Sequence, residues 1–406
     1  MKPFLTLKIP NFRNYLLGAF LSEIGNQMQV VAVAWQVYEM TRNPVSLGLI
    51  GVANFLPIIL FSLIGGLVVD KVDRRNLLIL VQGLQAILAL SLFGLTMFHL
   101  INPLMIYVIL FLISTSQSFS IPARQSVVPH LVPKKLFMNA VSLNTLQYQS
   151  AIMIGPAIAG FLIAGVGVQA IYLVNALSFI FFIMAIFSIK VPLQSHDREA
   201  VEFSLGSIME GIRFVVKTPI LLTTMVLDFL VTFFGTATIL MPVFAQDVLQ
   251  VGPKGLGLLY SAPAIGGVLA GLFISLMHHK IKHQGKAIIA SIILYGLATI
   301  GFGFSKIFPL SILFLVLVGF GDMFSTIIRN TIRQLITPDY LRGRMASVMR
   351  IFFQGGPQLG DMEAGFLAKV IGGPVSVVVG GVGTVIITVL IIWKNKSLRN
   401  YTLDKD

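Results

Sequence analysis

Five carboxylates stand inside stretches that are otherwise apolar: Glu23, Asp228, Asp322, Asp361 and Glu363. An ionisable side chain at bilayer depth costs roughly 2.5–3.5 kcal/mol on insertion scales. Each therefore needs a partner, a wet cavity or a task. Asn26 and Gln27 follow Glu23 at i+3 and i+4, which puts all three on one face of a helix, while Gln29 points elsewhere. One acid and two amides on a face suit a cavity that water reaches. A carboxylate that is protonated when buried and ionised when wet can carry protons. The plainer reading is a protonated Glu23 hydrogen-bonded to a neighbouring helix. Asp228 lies at a similar depth in a later apolar stretch and suits proton coupling or the binding of a cationic group.

Helical angle sorts the last two acids. At about 100° per residue, Arg350, Gln354 and Asp361 fall close to one line, with Gln358 about 60° off it. Glu363 lies about 160° from Asp361, so a regular helix cannot turn both into one cavity. Asp361 is the expected cavity acid, with Arg350 as its charge partner, and Glu363 is left for packing or an outer gate. Gly355-Gly356-Pro357 can rotate the far half of this helix and change the angle. Asp322 is expected to be a structural partner for Arg329 or Arg333.

These residues need long apolar elements to position them. Of 406 residues 56% are hydrophobic and 11% charged, against about 25% charged in soluble domains. That leaves too little polar surface for a soluble globule, so an integral membrane protein is expected. A spanning helix needs about 20 mostly apolar residues. Twelve stretches qualify: 14–38, 45–69, 76–99, 103–122, 138–164, 168–189, 219–244, 255–277, 286–304, 308–328, 345–368 and 374–393. With the N-terminus inside, 25 of the 29 Lys and Arg fall on the cytoplasmic side, all but Arg42, Lys254, Lys306 and Lys369. That bias puts both termini in the cytoplasm and explains the net charge of +13 without nucleic acid. The leading Lys2, Lys8 and Arg13 precede a full-length apolar stretch, which reads as a membrane helix rather than a cleaved signal.

The longest polar stretch, 190–218, divides the chain into halves 1–189 and 219–406. Within it, Phe203–Val216 has apolar residues at helical spacing and suits a helix lying on the membrane surface. A shift of 205 residues aligns 124–167 with 329–372 at eleven of 44 positions, among them Arg124/Arg329, Gly155/Gly360, Gly167/Gly372 and the block Ala-Gly-Phe-Leu. The same shift brings Glu23 to Asp228 and Gly66 to Gly271. Two parallel six-helix repeats place a substrate site at their interface near the bilayer midplane.

Between the second and third stretches comes Gly66-x-x-x-Asp70-Lys71-x-x-Arg74-Arg75, a run too charged for lipid. It resembles the helix two–three loop of the major facilitator superfamily, with Asp73 where that family usually has Gly. Gly155-Pro156-Ala157-Ile158-Ala159-Gly160 is similar to the helix-five motif of the family's antiporters. Phe12-Arg13-Asn14-Tyr15, Ile121–Gln125, Leu341–Arg344 and Gly355–Asp361 resemble the branch that holds siderophore exporters and macrolide efflux pumps. One departure is Gln117 in helix four, where drug antiporters often carry an Arg; the first Arg there is Arg124, at the cytoplasmic end. The resemblance implies an all-α, twelve-helix fold and a proton-coupled exporter of a small amphipathic molecule, siderophore-like rather than drug-like. It implies a gate made of Gly66, Asp70, Lys71, Arg74 and Arg75, with Arg124, Gly155 and Pro156. A monomer in the bacterial inner membrane is expected.

Other classes fit poorly. There are no cysteines, so thiolate metal sites and cysteine nucleophiles are excluded. His279 and His283 have the i, i+4 spacing of metal ligands, with His278 beside them, but Lys280 and Lys282 would repel a cation. No metal and no cofactor is expected. Gly380-Gly381-Val382-Gly383 has no strand before it and is not a nucleotide loop. No nucleotide-binding, protease or hydrolase motif appears, so the chain is not expected to be an enzyme. A non-transporting receptor on the same fold, or a channel, is the competing class. A receptor would tolerate loss of the acids.

Overall fold

In lipid an apolar run satisfies its backbone by hydrogen-bonding it internally as helix. The computed structural model describes residues 5–193, 205–235, 238–277, 281, 283–338, 341–399 and 401–402, and their regular structure is all helical. Helices α1 (Pro10–Thr41), α2 (Pro44–Lys71), α3 (Arg74–Met97), α4 (Pro103–Leu131), α5 (Phe137–Gly165) and α6 (Val168–Phe187) form the first series. The short helix α7 (Leu205–Lys217) follows. Then come α8 (Pro219–Gly235), the single turn α9 (Met241–Val243), α10 (Gly252–Met277), α11 (Gln284–Phe304), α12 (Phe308–Ile336), α13 (Arg342–Ile371), α14 (Gly373–Lys394) and the short α15 (Lys396–Arg399). Of the expected sites, His278, His279, Lys280 and Lys282 lie outside the described residues, as does most of 190–204, and the side chains of Gly66, Asp70, Arg350 and Gln354 do too.

Among the described residues ten stretches are long and apolar enough to cross a membrane. The two long helices that fall short are α1 and α13, which carry Glu23, Asn26, Gln27, Gln358 and Asp361. Polar residues that serve a cavity dilute the very signal that marks a span.

The fold divides into two units, one within Met1–Thr41 and Leu56–Val201, the other within Arg42–Phe55 and Glu202–Asp406. In the first, α1 packs on α5 and α6, and α3 packs on α4 and α6. The same pairings recur in the second: α8 on α13 and α14, and α11 on α12 and α14. Each unit has its own apolar core. Phe12, Leu78, Val127 and Phe182 are central to the first, and Leu221, Met225, Ile288 and Ile332 to the second.

The repeat identities acquire physical causes. Gly167 (φ +99°) and Gly372 (φ +86°) occupy the left-handed turns that start α6 and α14, where a Cβ would be strained. Gly155 lets α5 close on α1, since an added Cβ would lie 2.7 Å from Gln27 Cβ, and Gly360 lets α13 close on the Phe233 carbonyl of α8.

One expected span is not a uniform α-helix. The stretch 219–244 lies within one candidate span, Pro219–Val248, but changes helix type along it: after α8 come a 3-10 turn at Thr238–Leu240, α9 and a π-helical turn at Phe244–Val248. Pro242, which cannot donate a backbone hydrogen bond, sits in that irregular stretch.

Gly319 of α12 lies directly on the Pro263 carbonyl of α10, whereas Gly271 faces open space. Gly319→Ala is therefore expected to wedge these helices apart and lower stability by about 1–3 kcal/mol. Gly271→Ala should be neutral. Thermal unfolding in detergent reads both.

Candidate functional site

Glu23, Asn26 and Gln27 of α1 are all half-buried. The opposite face of α1 is sealed against α6: Gln29 accepts from Asn175 at 2.7 Å, and Gly25 lies against Asn175 and Ser178. The amide expected to point away does so. Gln27 donates to Glu23 Oε1 at 3.0 Å.

The cationic partner of Glu23 comes from α4. Arg124 Nη1 lies 3.8 Å from Glu23 Oε2, its Nη2 donates to Ser22 at 3.0 Å, and its guanidinium stacks over the Phe182 ring at 4.4 Å. Pro122 upstream and Tyr15, which donates to the Arg124 carbonyl, fix the local backbone. The two side chains keep 17% and 14% exposure, so the pair is not fully sealed.

The second unit repeats this couple in sealed form. Arg329 Nη2 lies 2.5 Å from Asp228 Oδ1, with side-chain exposures of 0% and 7%. Both ion pairs join residues 101 apart, acid on the first helix of the half and Arg on the fourth. A second arginine completes the sealed copy: Arg333 lies 3.6 Å from Asp228 Oδ2 and donates to the Thr224 carbonyl at 2.9 Å. Asp322, expected as a structural partner for Arg329 or Arg333, stands in the same charge cluster and shares Thr326 with Arg329, while the ion pairs of both arginines go to Asp228. A lone carboxylate here would be costly, but two guanidinium groups offset its charge, while Arg329 Nε and Nη1 and Arg333 Nε are buried without a hydrogen-bond partner.

On α13, Asp361 Oδ1 and Gln358 Oε1 are buried one turn apart with no hydrogen-bond partner. The Ile239 backbone N–H donates to the Asp361 carboxylate. Gly356 and Gly360 pack α13 on the Phe229–Phe233 stretch of α8, and the helix stays continuous through Pro357. Two acceptors on one side of α13 are thus left unused. Glu363 is half-buried.

The charged loop divides its roles. Asp73 caps α3 by accepting from the Asn76 N–H at 2.9 Å, at a φ of −57° that needs no glycine. Arg74 is buried and donates to the Leu193 carbonyl at 3.2 Å, to the Ser126 carbonyl and to His130 Nε2 at 2.8 Å. Arg75 donates to the carbonyls of Ile189 and Val191. The two arginines thus hold the backbone that follows α6, while Lys71 is exposed. Among the described glycines of this region, Gly65 makes the close approach, onto the Ser118 carbonyl. Gly155 and Pro156 are buried beside Glu23 and act through packing.

Sequence reasoning missed the pairing of each acid with its arginine. The signal was present, because one shift of 205 maps Glu23 on Asp228 and Arg124 on Arg329 together. Among the described residues no three His, Asp or Glu side chains come together as a metal would require.

Comparison with known proteins places this arrangement. A family model described as transmembrane secretion effector matches residues 1–404. The multidrug efflux pump Tap of Mycolicibacterium fortuitum is 27% identical over 367 residues, covering 88% of this chain and 89% of its own. The enterobactin exporter EntS of Salmonella choleraesuis is 25% identical over 393 residues, covering 97% and 94%. Among solved structures, a bacterial homologue of the lysosomal transporter Spinster superposes with a TM-score of 0.77 at 13% identity, covering 97% of this chain and 98% of its own. A bacterial homologue of the iron transporter ferroportin gives 0.73 at 14%, covering 94% and 98%. At such identities the structural likeness concerns the fold alone.

Proposed function

The chain belongs to the transmembrane secretion effector family of major facilitator transporters, and from that premise we propose that it exports a small amphipathic molecule in exchange for protons. It is a multi-span membrane protein and not an enzyme. The proposal adds twelve spans in two six-helix bundles, 1–189 and 219–406, joined by 190–218, with both termini cytoplasmic, acting as a monomer in a bacterial inner membrane.

The observation that carries proton coupling is the duplicated acid–arginine couple of which one copy is not fully sealed. In the open copy Glu23 exchanges a proton. When ionised it holds Arg124; when protonated it releases that charge, and Gln27 keeps the carboxyl in place. A ligand shifts a conformational equilibrium only by its differential affinity for the states, and a proton on Glu23 changes the charge balance of this couple. Asp228, sealed by two arginines, anchors the second half. Asp361 and Gln358 offer acceptors to the exported molecule. Arg74 and Arg75, with Gly66, Asp70 and Lys71, are the proposed gate.

A siderophore-like cargo is favoured because the similarity to an enterobactin exporter runs over 97% of the chain and includes the α13 stretch Gly355–Asp361. Multidrug efflux is the second reading, favoured by the 27% identical pump. Comparing the metabolites released by cells with and without the protein separates them. An iron-chelating product supports the first, and resistance to unrelated drugs without such a product supports the second. Asp361→Asn removes a charged acceptor worth about 1.5–3 kcal/mol. Its apparent affinity for the exported molecule is expected to fall at least about tenfold, as read in a concentration series of vesicle transport.

A further inference from the structure

We infer that α7 is an interfacial helix whose outward stripe lies in the bilayer surface and whose flanking cations bind anionic lipid headgroups. One side of α7 is committed to the second unit, where Val215 is buried and Phe214 is partly buried in the core around Ile220, Leu221 and Met225. A separate apolar stripe remains uncovered: Met209, Ile212 and Val216 are 56%, 40% and 58% exposed. At about 100° per residue these three share an arc of about 60° that lies opposite Phe214, with the buried Val215 beyond its Ile212 edge.

What covers the stripe follows from its position. Only Thr218 separates α7 from α8, and Pro219 begins a stretch that is long and apolar enough to cross a membrane. The stripe therefore stands at the depth where that helix enters the bilayer, and a helix with an apolar side edged by cations is suited to lie there. Arg213 and Lys217 flank the stripe and are exposed. Lys286 and Arg399, also exposed, stand at the same end of the unit, where Asn395 beside α15 bonds Thr223 of α8 and the Tyr401 carbonyl accepts from Gly285 of α11. Glu210 is the acid among the described residues of α7 and already has an interaction partner. Basic residues beside a membrane surface are drawn to anionic headgroups.

The absence of cysteine makes the test clean. Ile212→Cys carries one environment-sensitive dye in the full chain, reconstituted in phosphatidylcholine vesicles with or without phosphatidylglycerol. Lys134→Cys, in an exposed turn before α5, is the water-facing control. The dye at position 212 is expected to be blue-shifted, shielded from iodide and quenched by nitroxide lipids, more so with phosphatidylglycerol. Arg213→Gln with Lys217→Gln should abolish that lipid dependence. Iodide quenching equal to the control, without nitroxide quenching, overturns the interfacial placement. Shielding that ignores both phosphatidylglycerol and the double substitution overturns headgroup recognition. No readout involves transport, so failure here is distinct from failure of the export reading.

Discussion

Glu23→Gln is expected to cut proton-driven export at least about fivefold, the lower end of coupling energies of about 1–3 kcal/mol, while leaving the fold intact. Gln preserves the size of the side chain and a hydrogen bond to Gln27, yet can neither lose a proton nor pair with Arg124. Half-exposed ion pairs contribute little to stability, so thermal unfolding should barely move. Downhill exchange of substrate should survive, because the lesion is in coupling. Export against a pH gradient by reconstituted wild-type and variant proteins reads the difference.

Asp228→Ala is expected to do the reverse and damage the fold first. Arg329 and Arg333 are 0% and 1% exposed, and removing their shared carboxylate leaves two buried cations without a counter-charge. Breaking a buried pair on one side costs about 3–5 kcal/mol. Guanidinium groups hold their charge, so the cost is not relieved by deprotonation. Asp228→Leu combined with Arg329→Met and Arg333→Met should recover most of the loss, since apolar side chains of similar volume replace the network. Thermal unfolding and yield in detergent measure both variants. An Asp228→Ala protein as stable as wild type would contradict a sealed anchor and point to a second exchangeable acid.

The two couples also show where the sequence was legible. The all-helical, membrane-spanning character and the half-chain repeat follow from composition and period, because lipid leaves the backbone few options. The face of α1 was readable from the i+3 and i+4 spacing of Asn26 and Gln27, and Gln29 turned to α6 as that spacing required. Partners across helices were not readable, because period fixes the angle of a residue on its own helix and not the rotation of one helix against another. Hence the contact of Arg124 with Glu23, and the sharing of Asp228 by Arg329 and Arg333, come from the structure alone. Asp73 was a departure from a motif until its capping role explained it. Arg74 and Arg75 bind carbonyls in the polar stretch after α6, a contact that no local pattern announces.

The most direct measurement is proton and substrate flux recorded together in vesicles holding the wild-type protein, with enterobactin and ethidium as the two probes. Coupled antiport predicts that a transported probe moves one way while protons move the other, that collapsing the pH gradient stops its accumulation, and that Glu23→Gln keeps exchange without proton movement. Accumulation that persists after the gradient is collapsed, or proton movement that survives in Glu23→Gln, would contradict coupling at the Glu23–Arg124 pair.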